Sequence, residues 1–150
     1  MAEMVDVGAK ETVPRSATAV GAIRLRPATV DAIASGKVEK GDVVATAKLA
    51  AIQGAKRTPE LIPLCHPLRL DAVKPDVILD GDRVVLRCTV TATDRTGVEM
   101  EALTAVSLGL LAVWDMVKGL EKDAEGQYPT TRILDLRVEE KRVQRNGASS

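Results

Sequence analysis

At 150 residues, with 45% hydrophobic and 28% charged side chains, the chain suits one domain with a core of its own and has neither a disordered nor a membrane composition. Its 21 basic and 21 acidic residues cancel, which excludes a global field drawing it to nucleic acid or to a membrane surface. Aromatic residues are nearly absent, with no Phe and only Trp114 and Tyr128, so the core is expected to consist of Ala, Val, Leu and Ile.

Residues 1–16 read as a polar, extended arm; "MAEMVDVGAKE" carries acids where a secretory signal has an apolar run. "ATAVGAIRLR", 17–26, has period-two character and predicts a strand. Pro27 is placed to open a helix, "PATVDAIAS", that Gly36 ends. Asp42 is a good N-cap for a second helix over 43–57, an Ala-rich run with apolar residues at helical spacing. Pro59, Pro63 and Pro67 exclude a helix over 58–69.

"AVKPDVIL" and "RVVLRCTVTAT", around the turn "DGD" at 80–82, predict a hairpin. Val84, Leu86, Cys88 and Val90 share one face of its second strand, and Arg87, Thr89 and Thr91 the other, so Cys88 reads as a core residue. The longest helix is expected from Glu99 to Leu120. Its central Gly109 costs about 1 kcal/mol against Ala, which points to close packing on another backbone. "EKDAEGQYP", 121–129, reads as an acidic, mobile approach to a last strand at 130–143, where Ile133, Leu136 and Val138 alternate imperfectly with charges. Residues 144–150 read as a flexible tail. No apolar stretch is long enough to cross a bilayer, since the longest, 102–114, has 13 residues. The order of elements is that of the split βαβ, ferredoxin-like plan: an α+β fold with an antiparallel sheet and helices packed on one face. The other face is bare unless a second chain covers it, so an oligomer is expected.

His66, the only histidine, lies in "LIPLCHPL" beside Cys65 and between two prolines. One histidine and one cysteine are too few ligands for a metal site, and no CxxC or HExxH completes it. Cys65 and Cys88 offer no disulfide framework, which fits a reducing, cytoplasmic setting. On an extended chain Cys65 and His66 point to opposite sides, leaving His66 as a stiffened ring presented from a loop, either a substrate contact or a structural residue. "KGD", Lys40 to Asp42, sets a lysine and a glycine before a helix N-terminus, a weak phosphate-binding signal next to the reading as a solvated basic face. Glu99 and Glu101 are ordinary acids for a helix start. Asp115 and Lys118, three residues apart, form either a surface ion pair or a lysine tuned by a carboxylate. Glu101 and Asp115 lie on nearly the same helix face but about 21 Å apart, so a site using both ends needs a symmetry mate running antiparallel.

"MVDV", "KGDVVATAKLAAIQGAKRTPELIPLCHPL", "TGVEMEALTAVSLGLLAVWDMVK" and "LRVEEK" together resemble the cyclic pyranopterin monophosphate synthase family, molybdenum cofactor biosynthesis protein C, over about residues 4–141. The resemblance implies a homohexamer, a trimer of dimers with sites at dimer interfaces. It also implies a lyase that converts a cyclised dihydro-GTP intermediate, made by a radical SAM GTP cyclase as functional partner, to cyclic pyranopterin monophosphate with release of diphosphate. Carried over onto matching positions, Asp115, Lys40 and Lys118 are catalytic, with a lysine near other cations expected to have a lowered pKa and act as base. Leu64, Cys65, His66, Met100 and Glu101 are expected to contact substrate, and Asp6, Lys10, Arg15, Lys56, Glu99 and Lys141 to line the pocket. No tightly bound cofactor or protein-held metal is expected, Mg²⁺ accompanying the diphosphate being the one ion with a place. The glycine-rich ending of many relatives is replaced after Lys141 by "RVQRNGASS". Two other classes stay open. An RNA-binding sheet would want aromatics to stack on, and a purely structural oligomer would tolerate changes at Lys40, His66 and Lys118.

Overall fold

A computed structural model describes residues 2–145. The elements are β1 (Val13–Arg24), α1 (Pro27–Ala34), α2 (Val43–Lys56), α3 (Thr58–Leu61), β2 (Leu70–Asp80), β3 (Arg83–Asp94), α4 (Glu99–Glu121) and β4 (Arg132–Val143). The four strands form one antiparallel sheet in the order β2-β3-β1-β4, an α+β arrangement compatible with the ferredoxin-like plan. Val84, Leu86, Cys88 and Val90 of β3 are fully buried beneath the helices, while Arg87, Thr89 and Thr91 between them are half-buried on the open face. α4 lies over β1 and β3, and α2 lies over β2.

Several boundaries differ from the sequence expectation. β1 starts at Val13 rather than 17, so the arm is shorter; a proline is tolerated in the first residues of a strand, and the Pro14 carbonyl still accepts the Gln144 N–H at 2.9 Å. Residues 58–61 form a helical turn where none was expected. Pro59 sits in its first turn, where an N–H has no helical partner to lose, and the Thr58 hydroxyl donates to the carbonyls of Gly54 and Ala55 at 3.0 Å. From residue 62 to 69 the chain is irregular, as Pro63 and Pro67 require. The approach to β4 is tied rather than loose: the Asp123 carboxylate accepts the N–H groups of Glu125 and Gln127, and Tyr128 packs edge-on against Trp114 at 5.2 Å. Of the expected tail, Gln144 continues the β1 ladder, and residues 146–150 lie outside the described residues.

The imperfect alternation of β4 has a geometric cause. Ile133, Leu136 and Val138 all reach the helix side, although their spacing breaks period two, because the β1–β4 register shifts between Val20 and Ala22. Asp135, at φ 59°, takes up the left-handed conformation there. A second shift between Thr18 and Ala19 turns Lys141 to the helix side opposite Ala17, whereas Glu139 pairs with Arg87 on the open face.

α2 and α4 run antiparallel in near backbone contact. A Cβ on Gly109 would lie 2.3 Å from the Leu86 side chain and 3.1 Å from the Ala47 carbonyl, and one on Gly54 would lie 3.0 Å from the Thr104 carbonyl. The expected close approach at Gly109 is therefore present. α4 has the length and hydropathy of a membrane span, yet 50% of its most apolar window is buried inside the fold. Its last residue, Glu121, is fully buried and fastens three elements: its carboxylate accepts the Arg26 N–H ahead of α1 and the hydroxyls of Thr29 and Thr131. A carboxylate at the start of α1 also complements that helix's dipole.

Gly109→Ala should lower stability by about 1–3 kcal/mol through overpacking. Gly119→Ala, with nothing within 4 Å of its new Cβ, should raise it by about 0.5–1 kcal/mol from helix propensity. Urea midpoints of the two variants moving the same way would contradict this packing.

Candidate active site

Two groups of side chains gather at opposite ends of α4. At its C-terminal end Lys118 Nζ donates to Asp115 Oδ1 at 2.8 Å, and Lys40 Nζ, arriving from the loop before α2, donates to Oδ2 at 3.2 Å and to the Asp115 carbonyl at 3.3 Å. Asp42 positions that loop by capping α2 through the Ala45 N–H at 2.9 Å. The hydrogen bonds from Lys118 and then Lys40 hold the Asp115 carboxyl below the usual aspartate range. The same contact raises the pKa of Lys118 above the usual lysine value. The expected lowering is thus reversed for Lys118, because its nearest charge is an anion. An open cleft of about 510 Å³ over this trio is also bordered by Lys37 and Lys122. Lys122 was not singled out from sequence, although its position one turn after Lys118 was the available signal.

At the N-terminal end a cleft of about 530 Å³ is lined by Leu64, Cys65, His66, Glu99 and Met100, with Lys10 from the arm. Cys65 and His66 both border this cleft, at the end of a turn in which the Cys65 N–H donates to the Ile62 carbonyl at 3.1 Å, and the Cys65 thiol is directed inward to Glu101. Thr96 and Gly97 also line this cleft and were not named as site residues, although they open the family block "TGVEMEAL" that was the available signal.

Glu101, in the first turn of α4, is 1% exposed. Its Oε2 accepts the Cys65 thiol at 3.7 Å, and its Oε1 has no partner among the described residues. Burial pushes its pKa up, favouring the neutral acid. Burial, and then the Glu101 charge, also push the Cys65 thiol up, which removes the thiolate a nucleophile would need. Burial, partly offset by a hydrogen bond with the Lys74 backbone, takes Cys88 to about 11, in keeping with its place in the core.

The remaining expected residues divide. Lys141 meets Glu99 at 3.5 Å and shares a second cleft, of about 500 Å³, with Lys10 and Arg15, so these three adjoin the His66 group. Arg15 Nε is held by the Asp94 carbonyl at 3.0 Å. Asp6 accepts the Gly8 N–H at 2.8 Å and does not border the His66 cleft. Lys56 lies apart, in a cleft with Ile52, Leu70 and Asp71 between α2 and β2. Among the described residues no three His, Cys, Asp or Glu side chains converge as a metal seat.

The raised carboxyl of Glu101 sets a direction for stability. The folded state keeps a proton that the unfolded state loses, so this contribution is full below the ordinary glutamate pKa and is lost as pH rises through the raised folded value. Glu101→Gln should therefore flatten the decline in stability above about pH 5 measured by urea unfolding; an unchanged slope would contradict the buried neutral acid.

Comparison with known proteins adds an independent line. The MoaC family model matches residues 4–143. Similar proteins include a "Probable cyclic pyranopterin monophosphate synthase" from Pyrococcus abyssi, 55% identical over 139 residues, covering 93% of this chain and 87% of that protein. One of the same description from Thermococcus kodakarensis is 54% identical over 139 residues, covering 93% of this chain and 89% of its own. A "Probable cyclic pyranopterin monophosphate synthase accessory protein" from Methanothermobacter thermautotrophicus is 56% identical over 135 residues, covering 90% of this chain and 85% of that protein. With the match running through both side-chain groups and nearly the whole fold, the chain belongs to the MoaC family.

Proposed function

We propose that this chain is a cyclic pyranopterin monophosphate synthase of molybdenum cofactor biosynthesis, a phosphorus–oxygen lyase acting in the cytoplasm on the cyclised dihydro-GTP intermediate that a radical SAM cyclase supplies. The observation that carries the mechanism is the single carboxylate of Asp115 bonded to two lysines. Forming the cyclic phosphate requires a sugar-derived hydroxyl to attack the α-phosphorus while diphosphate leaves, and opening the purine-derived ring requires a proton donor. Lys118, held as an ammonium by Asp115, is suited to donate that proton. Lys40, the other amine on the same carboxylate, is left for the opposite proton step. His66, Met100 and Glu101 hold the ring system, with Glu101 as a neutral acid able to donate a hydrogen bond. A Mg²⁺ ion, where present, would accompany the polyphosphate of the substrate and neutralise charge as diphosphate leaves.

The two groups stand about 21 Å apart along α4, too far for one substrate to touch both within a chain. We infer that a second copy, related by a twofold axis, brings its Lys40, Asp115 and Lys118 to the His66 cleft of the first, and that three such dimers form the hexamer. Leu49 of α2 and Leu111 of α4, 57% and 52% exposed, supply apolar surface on these helices for such a contact.

With the cyclised intermediate as substrate, the wild type should release diphosphate and form a pterin that fluoresces after oxidation; no diphosphate would refute the assignment. Asp115→Asn should lower kcat about 10²–10⁴-fold. It should also move the alkaline limb of the pH profile to lower pH, because the ammonium of Lys118 loses its anion. Mixing inactive Lys118→Ala and His66→Ala chains should restore roughly a quarter of the activity through hybrid dimers holding one intact site. Sites built within single chains would restore none.

A further inference from the structure

From Lys141 to Arg145 the chain keeps an ordered course. The second register shift turns Lys141 to the helix side, and Val143 and Arg145 follow at period two on the same side. The Gln144 N–H, bonded to the Pro14 carbonyl at 2.9 Å, carries the ladder past the end of β4 and pins the backbone one residue before Arg145. All three side chains border the cleft of about 500 Å³ whose floor is Val13 and Arg15 of β1 and whose wall is Lys10 and Glu11 of the arm. Four cations thus face one carboxylate there, and among the described residues none of Lys10, Arg15 and Arg145 is ion-paired with an acid. Such a local excess of positive charge in a concave trough raises the potential there and draws in an anion. Lys10 also borders the His66 cleft, and Lys141 meets Glu99 of that cleft at 3.5 Å, so the two clefts adjoin.

We propose that Arg145 is a phosphate-binding residue, presented by the extension of β4, which with Lys10, Arg15 and Lys141 seats the polyphosphate of the ligand whose ring system occupies the His66 cleft. This rests on the proposed function for the identity of the ligand, but the chemistry it needs is only that of a linear polyphosphate anion. A guanidinium offers paired N–H donors to phosphate oxygens, which distinguishes it from a point charge at the same place.

The test uses the full chain and inorganic tripolyphosphate as probe, followed by calorimetry at several salt concentrations. Wild type should bind it with an affinity that falls as salt rises, and Arg145→Ala should bind about tenfold more weakly at low salt with a shallower salt dependence. Arg145→Lys should recover part of the loss. Arg132→Ala, which removes a cation from the other end of β4, should bind as wild type does. Turnover of Arg145→Ala should show a raised KM with kcat retained. Equal affinity of wild type and Arg145→Ala, equal losses in Arg145→Ala and Arg132→Ala, or no binding by wild type would each overturn the proposal. Because the probe is not turned over, a protein that binds it through Arg145 yet fails to convert the cyclised intermediate would sink the proposed reaction and leave this assignment standing.

Discussion

The architecture depends on the absence of two side chains. At Gly109 and Gly54 the facing helices α2 and α4 approach until carbonyl oxygens lie 3.1 and 3.0 Å from where Cβ atoms would sit. Ala47 and Ala51, both fully buried, continue the seam. That closeness lets aliphatic side chains fill the space above the sheet without large aromatics, and it fixes the antiparallel course of the pair. Antiparallel packing in turn sets what meets what: the loop before α2 delivers Lys40 to the end of α4, and the segment after α2 delivers Cys65 to its beginning.

The two ends differ electrostatically as a consequence. At the open C-terminal end, charges are solvated and arranged around one anion, so the carboxylate stays ionised and Lys118 stays protonated. At the N-terminal end a carboxyl is sealed under the Cys65 turn and favours its neutral form. One helix thus carries a solvated ion group at one end and a sealed acid that favours its neutral form at the other, two environments that hold their carboxyl groups in opposite protonation states.

Much of the fold was legible because local signals agreed. The Asp80–Gly81–Asp82 turn and the period-two pattern of β3 marked the hairpin, Asp42 marked the start of α2, and Gly109 announced its own close contact. The register shifts of β4 were not legible, since a strand's phase is settled by its partner; they left only an imperfect alternation at Ile133, Leu136 and Val138. The contact of the Cys65 thiol with Glu101 spans 36 positions and left no local signal. The union of Lys40 with Asp115 spans 75 positions and no spacing rule reaches that far; only the family resemblance grouped them. Glu121 was read as the first residue of the acidic segment 121–129, because its place as the buried end of α4 shows only once Arg26, Thr29 and Thr131 are seen around it.

The edge-on contact of Trp114 with Tyr128 has an optical consequence. The chain has no other indole, and this one neighbours Asp115 in sequence while its partner ring belongs to the loop leading into β4. Emission excited at the red edge of protein absorption therefore arises from a single place, one turn before Lys118 on α4, without any dye or engineered label. Release of the Tyr128 loop from α4 would change the surroundings of that ring, so the native chromophore doubles as a gauge of this contact.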